Sequence, residues 1–496
     1  MSGQRAKLRL ITWASIITLL VGVSAWSHAS DDACQGQGIQ AGRNITAEIE
    51  AEVTAHRVPL PPEMALDLEW YSPNVKSGEF GQIIKGWVRD DLVLLETDKN
   101  YLIAVRRTDG SERWRCQLND TIRYSPSLSR NNVVVNCNNR LVAIERHLGD
   151  IRWVLMPKFV MSCDPLVVDP ALYPKEYTKN WSPLETIYVG GWDNRFYCMR
   201  VQGRKSYFVK HQIASEDFSA PEFDLSYPWH KTNRDAGIIT TPIQMRDNLL
   251  YYTCSDNRCY AVSDEADERE PYTLLGPPTT SIAVTASAVA NAKNSLVTSY
   301  YVGSSDNSLY CLDRLTMRKK WSYSSGVTPS GTIMADNPAT PLVYFAVDTG
   351  KLEALKVNQA TQLKTGVSVP ESAQLLWETA GCGAITAGPD VVYVGLKCAK
   401  DFPGYQGIAA VEKASGKVLW QTPENGFFTN YIEFHNDWAN PVTEARIYAI
   451  TSDNRLVSLK EKVRDTGIKV VKMPVAAKEA PPAAPAKKKE ESKDSL

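Results

Sequence analysis

The chain holds 496 residues, 43% apolar and 22% charged, a globular composition long enough for a large core. Its formal net charge of −1 offers no global field to draw in nucleic acid or an anionic membrane. Six histidines argue against a histidine-based metal centre, and ten cysteines without a CxxC, a CxxCH or an adjacent pair give no support to zinc ribbons, dithiol redox motifs or covalent haem.

Residues 1–29 read as a signal peptide. Arg5, Lys7 and Arg9 form a basic start, Ile11 to Val23 an apolar stretch, and Ser27-His28-Ala29 a small-residue cleavage site. The apolar stretch is shorter than the roughly 20 residues a spanning helix needs, so no integral membrane segment is expected after cleavage. A lipid-attachment box is not expected either, because Cys34 follows Asp31-Asp32-Ala33. Residues 30–66 form an N-terminal extension with a short helix expected around Ile45 to His56.

From there one pattern recurs. A β-branched or aromatic run meets a polar corner, then Leu-x-small-apolar, with a Trp twelve residues after the Leu. The clearest copy is Tyr301 to Leu312 followed by Trp321. Leu102-Ile103-Ala104-Val105 with Trp114, Leu141-Val142-Ala143-Ile144 with Trp153, and Ile408-Ala409-Ala410-Val411 with Trp420 are others. Weaker copies sit at Phe196 (with Phe208 in the Trp place), Cys259, Leu352 (its Trp377 delayed by an insertion) and Leu456. The alternating runs are half-buried strands, and the Asx-Asn or Thr-Gly corners supply the positive φ of tight hairpins. The small column of Ala104, Ala143, Cys198, Ala261, Cys311, Ala354, Ala410 and Ser458 implies close approach of a neighbouring sheet. Successive Leu-column positions lie 39 to 63 residues apart, which suits four-stranded propeller blades.

The eighth copy has no Trp of its own, and Leu68-Glu69-Trp70 stands before the first copy without a repeat. The expected fold is all-β: an eight-bladed β-propeller of four-stranded blades over 67–465, its last blade closed by an N-terminal strand near Trp70. Beyond it, 466–496 is an Ala/Pro/Lys/Glu tail, including Lys487-Lys488-Lys489-Glu490-Glu491, too poor in apolar surface to fold alone.

These residues resemble the propeller repeat of the quinoprotein alcohol dehydrogenase (PQQ) family, approximately Leu-x-Ala-Leu-Asp-x-x-Thr-Gly-x-x-x-Trp. It stands here as Leu309-Tyr310-Cys311-Leu312-Asp313 with Trp321 and as Ala410-Val411-Glu412-Lys413-Ala414-Ser415-Gly416 with Trp420. The resemblance implies one of two roles. Enzymes of the family bind PQQ and calcium in the central funnel, usually against an adjacent Cys-Cys disulfide that this chain does not have. The non-catalytic branch includes the propeller scaffold of the bacterial outer-membrane β-barrel assembly machinery. This chain is similar to that branch in length and in lacking enzyme marks; it departs from it in its many cysteines, longer blade insertions and want of a lipid-attachment box. The expected function is therefore an exported, periplasmic or envelope-associated scaffold for other envelope proteins, with no catalytic, cofactor or metal residues assigned. The alternative is a PQQ-dependent or other small-ligand enzyme with its site in the funnel.

Three local features carry chemistry. Cys254 and Cys259 flank the Asp256-Asn257 corner, and the spacing admits either a hairpin disulfide or two separate buried thiols. The insertions Met156 to Glu185 and Val209 to Ile239 are long and aromatic-rich. Within the second, Tyr227, Trp229, His230 and Lys231 form a candidate interface loop, with a packed loop as the alternative. The hydroxyls of Ser125, Thr240, Thr241, Thr285, Ser287, Thr328, Ser330 and Thr386 belong to expected inner strands, where they either line a ligand site or solvate a water-filled channel or end strands.

Overall fold

The computed structural model describes residues 66–461 apart from 73–79, 170–185, 204–222, 233–236, 242, 247–248, 264–265, 286–298, 337–341, 359, 363–367, 399–403, 423–427 and 434–444. Residues 462–496 separate as a second unit and lie outside the described residues, as do the expected signal peptide, the helix around 45–56, Cys34 and Phe208.

The described residues form eight antiparallel sheets arranged as an eight-bladed propeller, and a small ribbon pairs Thr361–Gln362 with Ser368–Val369. The first blade runs through Ile83–Arg89, Leu92–Thr97, Tyr101–Arg106 and Glu112–Gln117. The second uses Ile122–Leu128, Asn132–Cys137, Arg140–Glu145 and Ile151–Leu155, and the third Leu166–Val168, Thr186–Gly190, Arg195–Gly203 and Phe223–Thr232. Gln244–Arg246, Leu249–Cys254, Arg258–Ser263 and Tyr272–Thr273 make the fourth, and Ala283–Val284, Ser299–Ser304, Ser308–Asp313 and Lys319–Ser324 the fifth. The sixth holds Pro329–Ala335, Leu342–Val347, Lys351–Asn358 and Ser372–Ala380; the seventh Gly383–Ala387, Val391–Gly395, Ile408–Glu412 and Val418–Gln421. Phe428–Ile432, Arg446–Thr451 and Leu456–Glu461 begin the eighth, and Leu66–Tyr71 completes it.

The corners between second and third strands are the expected Asx and Gly turns. Asn100, Asn194, Asn257, Asn307 and Asn454 all have φ between 60° and 64°, and Gly350 has φ 75°. Asn tolerates this left-handed backbone because its short side chain hydrogen-bonds locally. In the seventh blade a strap, described at 396–398 and 404–407, replaces the corner.

The core lies between blades. Each apolar cluster joins neighbouring sheets: Trp114 packs with Val133 and Val135 of the second blade, and Trp377 with Val392 and Val394 of the seventh. The small column explains this closeness. Ala104 pairs with Trp114, Ala143 with Trp153, Cys311 with Trp321, Ala354 with Trp377, Ala410 with Trp420 and Ser458 with Trp70. A small side chain beside each indole leaves room for the ring to lean onto the next blade. Cys198 and Cys311 are fully buried in this column.

In the third blade the partner of Cys198 is Trp229, which corrects the assignment of Phe208 to the Trp place. The insertion delays the outer strand, as in the sixth blade, so counting twelve residues from Phe196 stops short. The same finding corrects the expected interface loop: Tyr227, Trp229, His230 and Lys231 lie in the outer strand Phe223–Thr232. Tyr227 and Pro228 sit at its register shift, where a bulge frees the position from a ladder donor that proline lacks.

Three of these Trp also meet the next blade's turn. Trp70 Nε1 donates to Arg107 O at 2.9 Å, Trp114 to Arg146 O at 2.8 Å and Trp377 to Lys413 O at 2.7 Å. The glycine of that turn lies under the ring. A Cβ on Gly149 would come within 2.7 Å of Trp114, and one on Gly416 within 2.6 Å of Trp377. Both glycines also have positive φ, 86° and 74°.

The junction between fourth and fifth blades solves the problem differently. Ala261 faces no Trp; instead Arg269 N donates to Ala261 O at 2.9 Å. The turn carbonyl of Arg314 accepts from Tyr251 Oη at 3.1 Å, and Met317 stands where other turns have glycine. Met317 keeps the turn's positive φ, 55°, and its hydrogen bond, N to Asp313 O at 2.7 Å. Its side chain, 2% exposed, packs in one cluster with Tyr251, Cys259 and Ala261, filling space an indole occupies elsewhere. Tyr plus Met replaces Trp plus Gly.

Candidate functional site

The inner ring comes first. The first strands of neighbouring blades lie side by side around the axis. Lys85 Nζ donates to Ile122 O at 2.5 Å and Arg89 Nε to Pro126 O at 3.0 Å, so two cations of the first blade clamp the second. Lys85 also pairs with buried Glu96 at 3.0 Å. Asp164 accepts from Ser125 N at 3.2 Å; burial raises its carboxyl, while the Ser125 hydrogen bonds and Arg89 pull the other way.

The inner hydroxyls are engaged in closing strand ends. Thr241 Oγ1 accepts from Thr253 N at 3.1 Å and from Thr253 Oγ1 at 3.0 Å. Thr285 Oγ1 accepts from Ser299 N at 3.0 Å and donates to Ser299 O at 3.2 Å. Thr328 donates to Asn307 Oδ1 at 2.9 Å, and Thr240 meets Thr253 at 3.3 Å. These bonds match the strand-ending reading of the sequence. Among the described residues no three His, Cys, Asp or Glu side chains converge to hold a metal ion. No helix among them is long and apolar enough to cross a membrane.

Cys254 and Cys259 are free thiols on opposite faces of the fourth sheet. Cys254 packs toward the third blade and Cys259 toward the fifth, as one-residue alternation across the Thr253–Cys259 pair requires. The geometry thus corresponds to two separate buried thiols. Burial pushes the Cys259 thiol up to about 12, and Cys254 well above its ordinary value.

The rim of the third blade carries the best-formed surface feature. Asn139, at a positive-φ corner of the second blade, donates to Phe159 O at 3.0 Å and accepts from Met161 N at 3.1 Å. These bonds pin residues 159–161 across the rim. Phe159 then stacks on Tyr197 with centroids 3.7 Å apart, and Tyr197 lies 5.8 Å from the His230 ring. Trp192 N donates to Val160 O at 2.9 Å, which sets two large apolar side chains side by side. Trp192 is 52% exposed and Val160 47%. Nearby, Tyr124 Oη donates to Met161 O at 2.7 Å, and burial raises this phenol. The half-exposed indole presents an apolar face to solvent. His230, near the Tyr197 ring, is exposed. Lys231 is half-buried, donating to Ala266 O at 3.2 Å and pairing with Glu268 at 2.5 Å, so it braces the fourth blade. Of the Tyr227–Lys231 group, the structure thus brings His230 to this surface and turns Lys231 to a neighbouring blade.

Val160 lies in the insertion Met156 to Glu185, but Trp192 was not singled out as a surface residue, although a Trp directly before the Asp193-Asn194 corner was a signal. Corners elsewhere are polar.

A family model described as outer membrane protein assembly factor BamB matches residues 61–158, which hold the closing strand and the first two blades. The PQQ-type repeat resemblance is borne out by that match. Among solved structures, BamB from Moraxella catarrhalis aligns at 12% identity with TM-score 0.48, covering 80% of this chain and 99% of that one. The computationally designed Ika8 protein aligns at 11% identity with TM-score 0.46, covering 79% and 98%. No curated protein sequence matches.

Proposed function

We propose that this chain is an exported, non-catalytic propeller that holds partner proteins in the cell envelope, as an outer-membrane assembly factor does. The observation that carries the reading is the family-model match over 61–158, which coincides with the closing strand and the first two blades. In this reading 1–29 direct export and are removed, 30–66 and 466–496 flank the propeller as extension and solvated tail, and no cofactor takes part.

The rim of the third blade suits partner capture. Val160, Trp192 and His230 offer an aromatic and apolar face with a polar border, the composition of an interface centre. The expected partner is an envelope protein presenting an apolar segment to that face. Affinity purification from the native envelope tests this, comparing the natural chain with Trp192→Ala. Recovery of a discrete envelope protein that Trp192→Ala reduces at least tenfold supports the reading. No specific protein recovered, or fractionation of the chain to the cytosol, overturns it.

A further inference from the structure

The seventh blade departs from the others at one place, the strap that replaces its hairpin corner. The strap's described residues, 396–398 and 404–407, are held by Leu396 N to Gly407 O at 3.0 Å and Gln406 N to Lys397 O at 2.7 Å. Its strand Gly404–Tyr405 pairs with Tyr431 and Ile432, adding a fifth strand beyond the first strand of the eighth blade. The strap therefore spans two blades at the inner ring. Buried Tyr405 lies across Gly383 and Gly395, where any Cβ would collide with its ring. Two residues of ladder and one tyrosine hold this bridge.

Cys398 and Cys382 meet beside it. Cys398 is exposed and bridges to Tyr405 on the strap, and its Sγ lies 4.0 Å from Cys382 O. Cys382 is half-buried at the start of the blade's first strand, its N donating to Gly395 O at 2.8 Å and its Sγ lying 3.4 Å from the same oxygen. Both sulfurs thus gather at the main chain of Cys382 and Gly395; burial, then the neighbouring Cys398 thiol, raises the Cys382 thiol. Every other cysteine among the described residues is buried, so this pair alone joins contact with access.

We propose that Cys382 and Cys398 form a reversible disulfide that fastens the strap to the inner end of the seventh blade. The oxidant is a small-molecule disulfide such as glutathione disulfide, or a thiol oxidoreductase in its disulfide form. The exposed Cys398 thiolate attacks one sulfur of the donor; the donor's S–S bond breaks, and one thiolate leaves and takes up a proton. Cys382 then loses its proton and attacks Cys398 Sγ, expelling the second donor thiol. Two protein thiols lose two electrons, and one donor disulfide becomes two thiols. The raised Cys382 thiol makes the second step slower than the first.

The test uses the reduced full-length protein equilibrated with glutathione disulfide, then alkylated under denaturing conditions and mapped by peptide mass. The expected product joins the Cys382 and Cys398 peptides with loss of two hydrogens. Cys382→Ser should trap glutathione on Cys398, whereas Cys398→Ser should leave Cys382 unmodified over the same time. Amide exchange of 396–398 and 404–407 should slow at least tenfold on oxidation. Both thiols free, glutathione persisting on Cys398 in the natural chain, or equal exchange in the two states overturns the proposal. The mapping of the natural chain decides even where a serine variant fails to fold, and it is independent of where the chain resides in the cell.

Discussion

Trp70 and Arg107 are joined by a hydrogen bond of 2.9 Å from indole Nε1 to main-chain carbonyl, tying the closing strand to the turn of the first blade. Around it, Glu69 takes Arg446 in a two-pronged pair at 2.9–3.1 Å and accepts from Ser458 Oγ at 2.9 Å. Ser72 N donates to Leu456 O at 2.9 Å. Trp70→Ala deletes the large apolar body of this clasp and should cost about 3–5 kcal/mol. Trp192→Ala, on the exposed rim, should stay within about 0.5 kcal/mol of the natural chain. Denaturant unfolding of both variants checks the contrast.

Glycines with positive φ divide into two kinds. A Cβ on Gly110 would come within 2.4 Å of the Trp70 ring, whereas one on Gly350 would meet nothing within 4 Å. Gly350→Ala should therefore cost only the left-handed backbone penalty, about 1–2 kcal/mol. Gly110→Ala adds displacement of the indole, and its loss should exceed that of Gly350→Ala by about 1–3 kcal/mol. The two urea midpoints, measured side by side, test this.

Met317 makes the converse case. Replacing it with glycine would match the other turns and relax the backbone, yet it would empty the space between fourth and fifth blades. The cavity should dominate, so Met317→Gly should destabilise by about 2–4 kcal/mol. Stabilisation by this substitution would show that the side chain does not stand in for a Trp.

Acid should loosen the clasp. Burial alone would raise the Asp453 carboxyl, but hydrogen bonds from Thr451 and from Tyr71 of the closing strand, with Arg455 nearby, outweigh it and hold the group below its ordinary 3.8. A carboxylate depressed in the folded state contributes stability that is complete above pH 3.8 and lost as pH falls through the lower folded value. Asp453→Asn should flatten that loss between pH 4 and 2 while lowering stability near neutrality. Stability measured across this range reads the slope directly.

The blade count and closure were legible because both rest on short-range signals: the alternation of runs, the Asx-Asn corners and an orphan Trp70 facing an eighth copy without one. What misled was any position governed by spacing across an insertion. Phe208 sat at the right distance from Phe196 but Trp229 takes the place, since strand pairing and not residue count selects the partner of Cys198. The surface around Val160 and Trp192, and the pairing of Cys382 with Cys398, join segments brought together only by the turns between strands. Periodicity within one strand carries no trace of such meetings.

Hydrogen–deuterium exchange of the segment Leu66–Tyr71 is the most direct test of the closed ring. Paired with Leu456–Glu461 in the register Leu66 opposite Glu461 and Trp70 opposite Ser458, its ladder amides should exchange as slowly as those of the outer strand Glu112–Gln117. They should lose that protection in Trp70→Ala. Amides of this segment exchanging within seconds in the natural chain would contradict an N-terminal strand closing the eighth blade.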